Sequence, residues 1–542
     1  MEVIDDIAIR IKLPTTMLDS FDTVERYEVI EQNDKESTVL ICWDHPEVAA
    51  VSKIIDSTRP DMTIPNLPSP MVRDYKFSGL YTPYSHQKDT ASFLSVRQRA
   101  FCFSEAGTGK TSSSLWAADY LMKEGLVNRV LVICPVSIMY TAWQDEVFKS
   151  VMHRTCGVAH GSKEKRKKII RGDYDIVIIN YDGIGVVHDE LIAGGFDLII
   201  VDEANAYKNS TTQRWRKLAK LIKSNTWLWM MTGTPAAQSP MDAFGLSKMV
   251  SPYRVPKFMT AWRDKVMVQV TRFKWMPKMN AKSIVHSALQ PAIRYNKIDC
   301  VDLPPVVYQT RDVPLSPQAA KYYVNLKRQL QIEAGGEQVS AVNAAAALNK
   351  LLQISGGAVY ADQGAVLEFD ISPRLKELKN VLEETVNKVI VFVPYTHTIQ
   401  VVQQFLFSQE ISNEIINGEV TAKKRAEIIT RFQQQEDPRV LVIQPQAASH
   451  GVTLTAADTV VFWSPVLSVE TYLQCIARID RVGQKNKMLV VHLQGSDVER
   501  KTYSVLHSKV HSHNQLVDLY KQVLDVEDSV NSVEAIEEMY DE

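Results

Sequence analysis

The chain has 542 residues, of which 45% are hydrophobic and 23% charged, the composition of a globular protein that buries several cores without disulfides. Its 61 basic and 63 acidic residues leave a formal charge of -2. That balance excludes a basic coat for nucleic acid over the whole surface and an acidic disordered chain, and it leaves room for a local basic cleft. At roughly 150 residues per domain, three to four domains are expected.

Residues 1–75 predict a small N-terminal α+β domain with its linker. Strands are expected at 7–13, 27–30 and 38–43, with a turn near Asn33-Asp34. The stretch 59–70 holds four prolines and reads as the linker. From 76 onward short β-type runs alternate with helical stretches, the pattern of parallel-sheet α/β units. Strands are expected at 100–104, 130–134, 176–180, 198–201 and 228–231, which places a first lobe over 76–305. Residues 306–371 are expected to be mostly helical, with helices at 319–330 and 339–354. Strands at 388–393, 440–443, 459–463 and 488–493 define a second lobe over 372–510. Residues 511–542 form an acidic tail; the last 18 hold eight acids and no base, a solvated and frayed end. The longest apolar runs are strand-sized, so no membrane span is expected. The beginning, MEVIDDIAIR, is acidic and has no apolar run of a secretory signal. Cys42, Cys102, Cys134, Cys156, Cys300 and Cys475 contain no C-x-x-C pair and are expected to be buried cytosolic thiols.

Three sets of residues carry chemistry. Ser104-Glu105-Ala106-Gly107-Thr108-Gly109-Lys110-Thr111 follows a strand and opens a helix. Glycines let the backbone wrap phosphate oxygens, and the helix N-terminus favours negative charge. Gly107, Thr108, Gly109, Lys110 and Thr111 are the expected nucleotide contacts, with Lys110 on the β- and γ-phosphates and the Thr111 hydroxyl on Mg²⁺. Ser104 stands where such loops usually begin with glycine. Second, the buried run at 198–201 ends in Asp202 and Glu203. Acids at the carboxyl end of a parallel strand sit where ligands bind in open α/β sheets. Asp202 would hold Mg²⁺ and Glu203 would polarise the attacking water. Third, Arg478 and Arg481 are spaced to share one face of a helix, able to straddle a γ-phosphate from another lobe. Two further strips are candidate nucleic-acid contacts. Residues 163–171 carry Lys163, Lys165, Arg166, Lys167, Lys168 and Arg171 after a strand, where a solvated amphipathic helix is the favoured reading. Residues 272–278 interleave Arg272, Phe273, Lys274, Trp275 and Lys278, where a half-buried hairpin is favoured over a base-stacking track. The twelve histidines show no ligand spacing.

The order of these strings over about 80–505 resembles the superfamily-two helicases, and more closely the Swi/Snf-type DNA-translocating ATPases. His86-Gln87 lies where that family reads adenine through a glutamine. Leu131 to Pro135 with Trp143 resembles motif Ia. Asp202-Glu203-Ala204-Asn205 with Lys208-Asn209 resembles the DEAH box and its sequel, and Thr232-Gly233-Thr234-Pro235 resembles motif III. Residues 388–393 resemble motif IV, and Asn417-Gly418 with Arg425 and Phe432 resembles the region after it. His450-Gly451-Val452-Thr453-Leu454 with Asp458 resembles motif V. Gln474, Arg478, Arg481 and Gln484 resemble motif VI, whose R-x-x-R-x-G-Q ending is similar to the Swi/Snf branch. The resemblance implies two RecA-like parallel-sheet lobes joined by a helical connector. It implies ATP as substrate with Mg²⁺, and catalytic roles for Lys110, Asp202, Glu203, Arg478 and Arg481. It implies Gln87 in nucleotide binding, DNA as partner with duplex ahead of single strands and RNA a lesser candidate, and a cytoplasmic location on nucleoid or viral DNA. A protein partner would use residues 1–75. Asn205 replaces the family's His, Ala448-Ser449 a Gly pair and Thr453 an Asn. These departures bear on chromatin-type remodelling rather than on ATP hydrolysis, and the compact form resembles bacterial or viral members.

Overall fold

A computed structural model describes residues 1–58, 66–233, 235, 239–270, 275–300, 304–334, 341–360, 366–448, 453–481 and 483–508. Thr234, Arg272 to Lys274, His450 to Val452 and the acidic tail therefore lie outside the described residues. The chain forms two compact units, Met1–Val301 and Asp302–Glu542.

The first unit opens with an antiparallel sheet of β1 (Glu2–Ile4), β2 (Ala8–Pro14), β3 (Tyr27–Gln32) and β4 (Glu36–Cys42), in the order β1-β2-β4-β3. Strand alternation sends Ile9, Ile11 and Leu13 of β2 inward with Val39 and Ile41 of β4. The helix His45–Thr58 covers them with Val48, Val51 and Ile54. This core also takes in Leu67 and Val96, so the N-terminal sheet is fastened to the segment that leads into the main sheet. Arg97 Nε donates to Asp56 Oδ2 at 2.8 Å, and the Trp43 indole donates to Pro68 O at 2.8 Å. The proline-rich stretch thus ends in a packed segment, with Ser69 fully buried and its N–H donated to Ser92 Oγ at 3.0 Å.

The main sheet of this unit contains β5 (Arg99–Cys102), β6 (Val130–Cys134), β7 (Cys156–Ala159), β8 (Ile176–Asn180), β9 (Leu198–Asp202), β10 (Trp227–Met231) and β13 (Ala292–Ile293). Between β10 and β13 lies a hairpin of β11 (Met267–Gln269) and β12 (Trp275–Pro277). The sheet order is β13-β5-β10-β9-β6-β8-β7, parallel throughout. Both faces are covered, which is why β6, β8 and β9 read as unbroken apolar runs. Leu131, Ile133, Ile199 and Val201 enter one core; Val130, Val132, Leu198 and Ile200 enter the other.

The second unit has β14 (Val306–Asp312), a hairpin of β15 (Ala358–Tyr360) and β16 (Val366–Glu368), then β17 (Lys388–Phe392), β18 (Asn413–Ile416), β19 (Val440–Ile443), β20 (Ala457–Phe462) and β21 (Met488–Gln494). Its sheet runs β14-β21-β20-β17-β19-β18, again parallel. Each unit therefore carries a RecA-like parallel sheet. The expected helical connector needs correction at its start. Residues 306–312 are the first strand of the second sheet, and the helices Pro317–Ala334 and Ala341–Gly356 come after it. Among the described residues no helix is long and apolar enough to cross a membrane.

Candidate nucleotide site

The phosphate-type loop leaves the carboxyl end of β5 and closes on the helix Lys110–Lys123. Gly107 and Gly109 have φ of +86° and +82°, a left-handed backbone that L side chains rarely adopt. A Cβ at Gly109 would also stand 2.0 Å from Gln87 Nε2. Lys110 Nζ donates to Ser104 O at 2.7 Å and Glu105 O at 3.0 Å, so its charge is held over the loop's own carbonyls. Thr108 Oγ1 donates to Glu105 O at 2.8 Å, and Ser113 Oγ to Gly109 O at 3.0 Å. Thr111 is the second residue of the helix and is partly exposed. Gln87 braces the loop from the helix Ser85–Ser95. Its Oε1 accepts the Tyr84 N–H at 3.0 Å and its Nε2 donates to Thr108 O at 3.4 Å, while His86 Nε2 donates to the same carbonyl at 2.9 Å. The serine at the first loop position has a local reason. Ser104 Oγ accepts the Tyr295 N–H at 3.1 Å, a tie that a glycine could not make, and beside it Glu105 Oε2 accepts the Lys297 N–H at 3.1 Å.

Asp202 is the last residue of β9 and is buried, 8% exposed. Its Oδ1 accepts the Glu203 N–H and its Oδ2 the Trp143 indole N–H, both at 3.0 Å. Glu203 has φ 50° and ψ 55°, a left-handed turn that sends the chain into the short helix Ala204–Tyr207. The Tyr181 hydroxyl donates to Asp202 O at 2.7 Å and lies 3.3 Å from Glu203 O. β10 lies between β5 and β9, so their carboxyl ends are roughly 10 Å apart. At the end of β10 the Thr232 N–H donates to Cys102 O at 3.0 Å, and a Cβ on Gly233 would stand 3.6 Å from Ala106 N. One sheet edge thus gathers the 104–111 loop, Asp202-Glu203 and Thr232-Gly233. Their charges overlap electrostatically: burial pushes the Cys102 thiol up, Lys110 opposes that shift and Asp202 adds to it.

In the second unit the helix Val469–Ile476 ends before the two arginines, which corrects the expectation of one shared helical face. The chain runs on in tight turns, and each guanidinium reaches back four residues. Arg478 Nε donates to Gln474 O at 2.7 Å and Arg481 Nε to Ala477 O at 3.0 Å. Arg478 is buried; Arg481 also donates to Thr453 Oγ1 at 3.1 Å. Gln484 locks this segment to β20, its Nε2 donating to Ala457 O at 2.8 Å.

The two basic strips fall out differently. In the helix Lys163–Arg171, Arg166 is buried and donates to Ala159 O and Asn180 Oδ1, both at 2.8 Å, while Lys167 pairs with Glu190 at 3.1 Å. Lys163, Lys165 and Lys168 face outward, as on a solvated amphipathic helix. Of the other strip, Trp275 lies under the Arg263 guanidinium at 4.2 Å, and Lys278 Nζ donates to Asp264 O at 2.6 Å. Sequence alone does not single out Tyr181 or Tyr295. A tyrosine after a buried strand carries no signature of the backbone groups it will meet.

The two sheets, with a glycine-rich loop at one strand end and an Asp-Glu pair two strands away, define a P-loop protein of the RecA-like class. The SNF2-related domain matches residues 86–356, half of the chain, and the helicase conserved C-terminal domain matches 373–483. The chain belongs to the SNF2-related family. It is 25% identical over 440 residues to the chromodomain-helicase-DNA-binding protein 1-like of Mus musculus, covering 76% of this chain and 47% of that protein. It is 24% identical over 444 residues to putative protein p41 of Acyrthosiphon pisum secondary endosymbiont phage 1, covering 77% of this chain and 94% of that one. The chain thus spans about half the length of the mouse relative and nearly all of the phage protein. Among solved structures, the Sulfolobus solfataricus SWI2/SNF2 ATPase core in complex with dsDNA covers 80% of this chain, and the match covers 92% of that one, at 21% identity and a TM-score of 0.40.

Proposed function

We propose that the chain is an ATP-driven motor that hydrolyses ATP with the residues gathered at the first sheet's carboxyl edge and translocates on DNA, duplex in preference to single strands. The observation that carries this reading is the convergence of β5, β10 and β9 on that edge, with Lys110, Gly233 and Asp202-Glu203 at their ends. ATP is the substrate. Lys110 would exchange its two loop carbonyls for the β- and γ-phosphates, an exchange favoured because a phosphate carries full charge and a carbonyl does not. The left-handed glycines leave loop N–H groups for the phosphate oxygens, and Gln87 would read the base. Mg²⁺ suits the donors present: Thr111 offers a hydroxyl and Asp202 a carboxylate, hard oxygens of the kind this ion takes beside substrate phosphates, where it neutralises charge. Glu203 would orient the attacking water. Arg478 and Arg481 would steady the transferring phosphoryl group from the second lobe, which makes turnover depend on lobe closure.

ATPase rates with no nucleic acid, single-stranded DNA, duplex DNA and RNA, measured side by side, test the proposal. Duplex DNA should stimulate most; stimulation by RNA alone would make it an RNA helicase. The Asn at 205, which can hydrogen-bond but not become charged, favours one further reading, a nucleotide-timed binding switch. Displacement of a third strand from a triplex by the working enzyme separates the two, since a switch leaves that strand bound.

A further inference from the structure

Three hydrogen-bond donors of the first unit meet at the end of β9. The indole of Trp143 reaches Asp202 Oδ2 at 3.0 Å from a π-helical segment, Met139–Gln144, that comes after β6. A π-turn adds a residue to the helical circuit and redirects the side chains around it; such turns recur at functional sites. Here it turns a fully buried tryptophan toward the carboxylate. The Glu203 N–H takes the other oxygen, Oδ1, at 3.0 Å. The two donors reach different oxygens of the carboxylate, and together they fix the plane of the group. The Tyr181 hydroxyl, from the segment after β8, spans Asp202 O and Glu203 O at 2.7 and 3.3 Å. Its ring is held edge-on to Tyr207, centroids 5.6 Å apart, and lies under the Arg214 guanidinium at 5.2 Å. That grip spans the left-handed turn at Glu203, a conformation that costs a non-glycine residue about 1–2 kcal/mol and persists only where neighbours hold it.

We propose that Trp143 and Tyr181 are positioning residues for the Asp202-Glu203 pair: Trp143 sets the carboxylate plane of Asp202 toward the divalent cation, and Tyr181 holds the Glu203 turn. The proposal rests on the reading of this pair as metal ligand and water-orienting base. It divides the labour: loss of the indole N–H should weaken the metal's hold, and loss of the hydroxyl should slow turnover with the metal's hold intact. Partners behind a metal ligand typically govern about tenfold to a hundredfold in metal affinity.

The experiment uses the full chain with Trp143→Phe, Tyr181→Phe and Asp202→Asn. Binding of a fluorescent ATP analogue is titrated with Mg²⁺ and repeated in EDTA, alongside steady-state hydrolysis. For Trp143→Phe the half-saturating Mg²⁺ should rise about tenfold or more, with binding in EDTA unchanged. For Tyr181→Phe the Mg²⁺ curve should match wild type, with kcat down about tenfold and KM held. A Trp143→Phe protein with a wild-type Mg²⁺ curve overturns the role of the indole, and a Tyr181→Phe protein with wild-type kcat overturns the role of the hydroxyl. If Asp202→Asn also leaves the Mg²⁺ curve unmoved, the reading of the pair itself fails. A shift with Asp202→Asn and none with Trp143→Phe sinks the positioning proposal alone. Should thermal unfolding show that Trp143→Phe does not fold, Trp143→Met, which also lacks the N–H, takes its place with the same two outcomes, while Tyr181→Phe, which removes one oxygen and keeps the ring, decides the role of the hydroxyl.

Discussion

Glu203 carries a local conflict between backbone and chemistry. Its φ of 50° suits glycine, yet a water-orienting role needs its carboxylate. Glu203→Gly should therefore relieve about 1–2 kcal/mol of strain against about 0.5–1 kcal/mol of added chain entropy in the unfolded state. The expected outcome is a melting temperature equal to wild type or higher in a protein that no longer hydrolyses ATP; a clear fall in melting temperature would mean the turn is not strained. Lys110→Ala is expected to abolish hydrolysis, because its ammonium is the charge placed over the loop at Ser104 O and Glu105 O. Near-wild-type turnover in that variant would remove the loop from the site. The spacing of residues makes this loop and the Asp-Glu pair legible in the sequence. Ser104 looks like a defect there and is a tie to Tyr295 N–H, a partner far along the chain that no local pattern announces.

At the scale of elements, the segment after Asp202-Glu203 leans on the helix Asp242–Val250. Lys208 Nζ pairs with Asp242 at 3.5 Å, and a Cβ on Gly245 would meet Lys208 O at 2.2 Å. An alanine normally favours a helix over glycine by about 1 kcal/mol. Gly245→Ala should nonetheless destabilise the protein by roughly 1–3 kcal/mol, the usual cost of overpacking, and lower hydrolysis by pushing on the chain behind the Asp-Glu pair. Denaturant unfolding and turnover together check this, and a stabilised variant would contradict the close approach. The same scale shows which strands a sequence displays. Central strands buried on both faces, such as β6, β8, β9 and β17, stand out as apolar runs. The strands whose bounds the sequence does not display include β1, β7, β13, β14 and β18, and all five lie at sheet edges. Edge strands keep one flank open and tolerate polar residues there, as in the V-V-Y-Q-T-R-D of β14. The end of the motif VI helix at Ile476 is hidden for another reason: Arg478 and Arg481 make the same four-residue return as helical side chains would, so their spacing looks helical.

For the molecule as a whole, acid should weaken the second unit through one buried histidine. His492 in the second unit is fully buried among Tyr472, Tyr503, Phe462 and His507, its Nε2 3.0 Å from the Tyr472 hydroxyl. Burial, with His507 adding to it, pushes its pKa down to about 3, against about 6.5 in an unfolded chain. Below pH 6.5 the unfolded chain takes a proton that the folded one refuses, so stability falls with pH until about 3. The expected loss between pH 7 and pH 4 is about 3 kcal/mol from this residue. Urea midpoints of the second unit at pH 7, 5.5 and 4 should show it, and His492→Phe should flatten the slope; an unchanged slope would assign the acid sensitivity elsewhere. In the first unit the N-terminal sheet is fastened by the nearly buried Arg97–Asp56 pair. Arg97→Ala should cost about 1–3 kcal/mol and speed proteolytic release of residues 1–58. Release no faster than from wild type would show that the shared core alone holds the sheet.

The pairing of β14 with β21 has a consequence in time. Asp312 and Gln494, joined at the end of this ladder, are 182 positions apart. A ribosome adding roughly 5–20 residues per second leaves β14 waiting for its neighbour β21 for about 10–40 seconds. During that interval the first strand of the second sheet is outside the tunnel while the last has not been made. The lobe therefore completes its sheet only once Gln494 has been made. The run of polar residues that obscures β14 in the sequence, Gln309, Thr310, Arg311 and Asp312, also helps a waiting strand avoid pairing with the wrong chain.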